Sequence, residues 1–179
     1  MYQSERRHHR SEWSEPGPYG ASVPRLTSTH WGSSLERPDA EAMAVVARTA
    51  AAVADRPVAL AEAFYEHLFE LAPAVRMMFP ADMTAQNDKL CRALFACIEA
   101  LVTGPEETSV MEHGLRRLGT HHTGRYAVRS EHYPYVGQAL VRAVRDLSQD
   151  WSTTSSSSWI WVYTWLSSHM LNHEHPRGG

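Results

Sequence analysis

The chain has 179 residues, 43% of them hydrophobic, which is enough to build one ordinary globular core. A formal charge of -3 argues against nucleic acid or an anionic membrane as partner. No apolar run approaches the roughly 20 residues that would span a bilayer, and the basic start MYQSERRHHRSEW has no apolar stretch behind it to act as a secretory signal.

Residues 1–37 are rich in Ser, Arg, His, Pro and Gly and show no hydrophobic period, so they are expected to form a disordered extension. His8 and His9 could bind a metal adventitiously there, although a solvated polar tail is the simpler account. A single domain is expected over 38–175, followed by a short tail at 176–179. The stretch DAEAMAVVARTAAAVA is made of strong helix formers. Pro57 is expected to open a second helix with Asp55 as its cap, and Leu60, Phe64, Leu68 and Leu71 form its apolar stripe. APAVRMMFP reads as a short helical turn closed by Pro80.

In the next helix Met83, Gln86, Leu90, Leu94, Ile98 and Leu101 share one face, and Gly104 followed by Pro105 separates it from its successor. The segment PEETSVMEHGLRRLGTHH is expected to be helical and to give way to a loop. A helix capped by Ser130 then carries the stripe Val136, Leu140, Val144 and Leu147. The polar run STTSSSS reads as a loop and first turn leading into a last helix, on which Trp159, Tyr163, Leu166 and Met170 share a face. Nothing alternates with period two. The expected fold is all-α, with about six helices. Cys91 and Cys97 fall in one helix where they cannot reach each other, which leaves two small buried thiols and suits a reducing cytoplasm.

The most pointed local feature is His122. Met111, Leu115, Leu118 and His122 are spaced by four, three and four residues, so the histidine continues an apolar stripe while His121 points about 100° away. A neutral imidazole on an apolar face is what a haem iron needs as ligand. A lone histidine in that setting is more often a hydrogen-bonded core residue. Gln86 on an apolar face and Tyr65 beside Phe64 are two further polar groups, each with an equally plain reading as a first-turn or rim side chain. Three donors on three helices say more than any one of them.

The ordered motifs give the same residues a second meaning. From about 38 to 174 the sequence resembles a bacterial single-domain globin, similar to the haem domain of flavohaemoglobins. AFYEHLFELAPAVRMMFP resembles the second and third helices of that family, where Tyr65 would line the ligand side and Phe79 would pack on the porphyrin. DMTAQNDKL resembles the distal helix, which assigns Gln86 and Leu90 to the ligand pocket. LRRLGTHH resembles the stretch that ends in the proximal histidine, matching His122. SEHYPYVGQAL matches the start of the following helix, where Tyr133 would support that histidine. WIWVY resembles W-x-x-A-Y with valine in place of alanine, and counting on from it puts the proximal glutamate at Glu174. The stretch HTGRYAV is one residue longer than the pattern and has alanine for glycine. Counting back from Tyr133 would select Thr123, which cannot ligate iron, so the extra residue is assigned to the loop and His122 is kept, with His121 as the alternative.

The resemblance implies a globin-like three-over-three helical fold around haem b (iron protoporphyrin IX), taking O₂, NO or CO as ligand. It further implies conversion of nitric oxide to nitrate with O₂, fed by a separate reductase, because the chain ends where flavin- and nicotinamide-binding modules would begin and carries no G-x-G-x-x-G after a strand. A cytoplasmic monomer or homodimer is expected. The alternatives are a haem-based gas sensor or interaction module, and a haem-free helical bundle.

Overall fold

Asp39 starts the first helix by local chemistry. In a computed structural model, which describes residues 36–171, its carboxylate accepts from the Ala42 N–H at 2.8 Å and so caps α1 (Ala40–Ala51). Such a cap is worth about 0.5–2 kcal/mol to the helix it starts. Pro57 occupies the first turn of α2 (Pro57–Leu71), as expected, but Asp55 is not its cap. Asp55 lies exposed against its neighbour Arg56 at 3.6 Å. Arg56 instead donates to the Leu147 carbonyl at 2.7 Å, which ties the α1–α2 corner to the end of a distant helix. A 3-10 turn, Pro73–Met78, follows and buries Val75.

Helix α3 (Thr84–Thr103) runs to Gly104, and Pro105 starts α4 (Pro105–Tyr126). Two boundaries differ from expectation. The residues after His122 are helical up to Tyr126, and the chain turns only at Ala127, in the left-handed region at φ 52°. Gly124 does not break the helix; a glycine costs a helix interior only about 1 kcal/mol, and here it sits on an open face with nothing within 4 Å of where a Cβ would be. Ser130 opens a 3-10 turn, Ser130–His132, rather than capping the next helix. That turn is closed by the Arg129 N–H donating to His132 Nδ1 at 3.1 Å, and α5 (Tyr133–Leu147) follows with no side-chain cap.

The serine run is helix, not loop. Ser152 accepts from the Ser155 N–H at 3.0 Å, which caps α6 (Thr153–Leu171) one residue into the run. Ser155, Ser158, Ser167 and Ser168 are all buried. Two of them satisfy their hydroxyls on their own helix, Ser167 on the Thr164 carbonyl at 3.0 Å and Ser168 on the Trp165 carbonyl at 2.7 Å. Small residues with internally paired hydroxyls let neighbouring helices come close without an unsatisfied polar group.

The helices pair in a nested way that gives the globin-like three-over-three arrangement. α2 packs mainly on α5, α1 on α6, and α3 receives both α1 and α2. α4 packs on α6 and α3, and α5 crosses α6. The core is built from Val46, Val53, Leu60, Val141, Val144 and Trp159. Trp159 is 1% exposed, and its indole N–H donates to Thr49 Oγ1 at 2.8 Å. Burying a tryptophan of roughly 150–250 Å² contributes about 4–6 kcal/mol, and the Thr49 bond spares that gain the cost of a stranded N–H. Among the described residues no helix is long and apolar enough to cross a membrane.

Contacts with the helices already involve the two residues before Pro38. The Trp161 indole donates to the Glu36 carbonyl at 3.2 Å. The Arg37 guanidinium donates to the Leu101 carbonyl at 3.3 Å and to Thr108 Oγ1 at 3.2 Å, which pins the incoming chain to the corner between α3 and α4. His8, His9, the expected extension before Glu36, and Glu174 lie outside the described residues.

Candidate functional site

Tyr65 sits on the buried face of α2 because it follows Phe64 in a stripe that faces α3 and α5. Its ring is held on three sides. Phe64 meets it edge-on at 4.8 Å, Phe69 stacks at 5.8 Å, and Phe79 meets it at 5.4 Å and 67°. Phe79 in turn meets Phe69 at 5.4 Å. Arg76 fixes this corner: its guanidinium lies 5.0 Å over the Phe69 ring and donates to the Phe79 and Pro80 carbonyls at 3.2 and 3.1 Å. Phe69 and Arg76 were not singled out from sequence. The spacing of four residues between Tyr65 and Phe69 was the signal available for the first.

The Gln86 side chain stands close enough to the Tyr65 hydroxyl to act on its titration. Burial raises the hydroxyl's pKa above the usual phenol value, and the Gln86 side chain opposes that only in part, so the group remains a protonated O–H. Gln86 stands in the first turn of α3, which is started by Asp82 accepting from the Thr84 N–H at 2.9 Å. Leu90, one turn further along, is half-buried against the core. Beside it, the buried Cys91 thiol donates to the Pro57 carbonyl at 3.1 Å and ties α3 to the start of α2.

His122 lies in the last third of α4. Leu115 and Gly119 of that helix are buried and His122 is half-buried, whereas His121 is exposed. Leu118, at 36% exposure, sits at the margin of the inward face rather than in it. Burial is the main cause that lowers the His122 pKa, with His121 adding to it, so the imidazole is held in its neutral form. Its ring contacts Tyr126 at 6.3 Å. Behind it, the Val128 N–H returns to the His122 carbonyl at 3.2 Å across the Ala127 turn. Tyr133 is buried at the start of α5, and its carbonyl accepts from the Tyr163 hydroxyl at 2.7 Å. That bond couples α5 to α6 and was not anticipated beyond the inward placing of Tyr163.

The distal three residues, Tyr65, Phe79 and Gln86, are therefore one cluster, with Leu90 a turn away on α3. His122 and Tyr133 stand on separate elements, α4 and α5. Large apolar side chains, among them Met83 just before α3, Leu90 and Leu94 on α3, Met111 on α4 and Val136 on α5, pack against the core yet stay only partly buried. A flat apolar ligand would cover such surface. Among the described residues no group of three or more His, Cys, Asp or Glu could hold a bare metal ion. One neutral imidazole instead fits a metal that brings its own equatorial nitrogens, as haem does.

A family model for globins matches residues 62–170, well over half of the chain. The chain is 27% identical over 128 residues to a flavohemoprotein of Xylella fastidiosa, covering 71% of this chain and 31% of that protein. It is 27% identical over 118 residues to one from Vibrio cholerae, covering 65% and 29%. It is 28% identical over 123 residues to one from Rhizobium meliloti, covering 66% and 29%. The chain thus spans about a third of the length of the curated relatives it matches. These matches imply haem binding, and with the helical architecture described above they place the chain in the globin family.

Proposed function

We propose that the chain holds haem b through His122, binds O₂ and converts nitric oxide to nitrate, with electrons from a separate reductase. The observation that carries this reading is the buried Tyr65 hydroxyl, a protonated phenol beside Phe79 on which the half-buried Gln86 amide acts from a second helix. When bound, haem supplies the iron at which a diatomic gas is taken up and an electron is delivered. The chain's own residues do the rest. His122 offers a lone pair because burial keeps its imidazole neutral. Tyr65 keeps its proton and can donate it in a hydrogen bond, and the Gln86 amide offers a second donor beside it. In a low-dielectric setting each donor toward developing negative charge contributes on the order of 1–3 kcal/mol. Phe79 and Leu90 exclude water and shape the ligand side. Tyr133, and Glu174 beyond the described residues, would orient the His122 ring through its second nitrogen. The overall reaction balances as NO plus O₂ plus one electron giving nitrate. A cytoplasmic monomer or homodimer suits this role.

An absorption spectrum of the purified protein should show a Soret band. His122→Ala should lose most haem or leave it exchangeable, and His121→Ala should keep a near wild-type spectrum. The reverse pattern would move the ligand by one residue. NO consumption with added reductase and nicotinamide cofactor should exceed that of reductase alone. Reversible O₂ binding without NO turnover would reassign the chain to gas binding or sensing.

A further inference from the structure

The second half of α4 has a charge pattern that the haem site does not use. From His113 to Ser130 the sequence contains Arg116, Arg117, Arg125 and Arg129 and no Asp or Glu, in a chain whose formal charge is -3. Arg117, His121 and Arg125 are spaced by four residues on one exposed ridge of the helix. Of the four arginines only Arg129 is drawn into an ion pair with a described carboxylate, Glu131 at 2.6 Å. The nearest acid on α4 itself, Glu112, turns instead toward His169 of α6, 3.9 Å away.

A second observation sets this ridge apart from an ordinary solvated face. Tyr126 is 46% exposed and organises its neighbours: His121 meets its ring edge-on at 5.5 Å, and the Arg125 guanidinium lies 5.8 Å from its centre. Exposed arginine and tyrosine, pre-ordered and close together, are the side chains that dominate protein interfaces. The ring centre of His122 lies 6.3 Å from that of the same Tyr126. The cationic ridge therefore adjoins the residue that we assign to the iron.

We infer that Arg117, His121, Arg125 and Tyr126 form the docking surface for an acidic one-electron carrier protein, which delivers its electron from the His122 side. The inference rests on the haem assignment for the electron step, in which the carrier is oxidised by one electron and ferric haem is reduced to ferrous. The docking itself rests on the surface alone. Charge complementarity of this kind raises encounter rates by about tenfold or more and fades with added salt.

The test uses the full-length holoprotein and a small acidic [2Fe–2S] ferredoxin as probe. Second-order reduction of the haem by reduced ferredoxin is measured by stopped flow against ionic strength, and binding of oxidised ferredoxin is titrated separately. The double variant Arg117→Glu/Arg125→Glu should slow reduction at least tenfold at low salt and weaken binding to match. Arg48→Glu, an exposed reversal on α1, should stay within about twofold of wild type. The gap should close at high salt, and reduction by dithionite should not distinguish the variants. If the double variant behaves like Arg48→Glu in both measurements, the docking surface is wrong. A short oligothymidylate that binds more tightly than ferredoxin at equal ionic strength would also overturn it, in favour of a polyanion site. A chain without a Soret band would refute the haem assignment, while the binding titration would still decide the surface.

Discussion

Replacing Tyr65 with phenylalanine removes one hydroxyl and leaves the ring in its place. The ring is fixed by Phe64, Phe69 and Phe79 at 4.8, 5.8 and 5.4 Å, and none of those contacts involves the oxygen. Gln86, beside the hydroxyl, is half-buried and can hydrogen-bond water, so the stability cost should be about 0.5–1.5 kcal/mol at most. The effect on bound ligand should be larger. A hydrogen bond to a group carrying negative charge is worth about 1.5–3 kcal/mol, which predicts O₂ release faster by about tenfold to hundredfold. Carbon monoxide carries little charge when bound, so its release should change far less. Gln86→Leu should act in the same direction, and the double variant should fall short of additivity if both groups serve one ligand. Stopped-flow dissociation of O₂ and CO for wild type and the three variants decides it. Unchanged O₂ release in Tyr65→Phe, or an equal change for CO, would reduce Tyr65 to a packed aromatic and remove the main support for NO dioxygenation.

Three further outcomes concern the frame around the site. Ala127 holds φ 52° without being glycine, so Ala127→Gly should stabilise the fold by about 0.5–1 kcal/mol in a denaturant titration, and an unchanged or lower midpoint would refute strain at that turn. Burial lowers the pKa of both His122 and His169 below the ordinary 6.5, so the unfolded chain takes up protons before the folded one and apoprotein stability rises with pH in the window ending near 6.5. His122→Gln and His169→Gln should each flatten that slope, and a slope unaltered in both would contradict the burial argument. Removing residues 1–35 should leave the melting temperature unchanged, whereas Arg37→Ala should lower stability by about 1–2 kcal/mol through loss of its bonds to Leu101 and Thr108. Equal losses from both would show that the extension contributes packing of its own.

The amphipathic helices were legible because their period is a local property. The stripes through Leu60 and Phe64 on α2 and through Leu140 and Val144 on α5 turn out buried as their spacing requires. The misplaced boundaries share a cause, which is that residues that often break helices were judged without their surroundings. Gly124 is tolerated on an open face, and the serines of α6 pair their hydroxyls within their own helix. The inward setting of His122 relative to His121 was readable from a four-residue rhythm. The influence of Gln86 on Tyr65 was not, because it depends on how closely α2 approaches α3, which no sequence spacing encodes. Tyr126 was hidden for a similar reason, since its role depends on the helix continuing one turn past the point where a loop was expected.

The pairing of α1 with α6, sealed by the bond between Trp159 and Thr49, joins residues 110 apart, and the pairing of α2 with α5 is nested inside it. A ribosome adding roughly 5–20 residues per second would release α1 about 5–20 s before the partner it needs. Throughout that interval the face of α1 that α6 will cover stays open, although α3 can already pair with α1 and α2. The nascent chain should therefore rely on holding chaperones until synthesis is almost finished, and a stop codon before α6 should yield insoluble product rather than a smaller working domain.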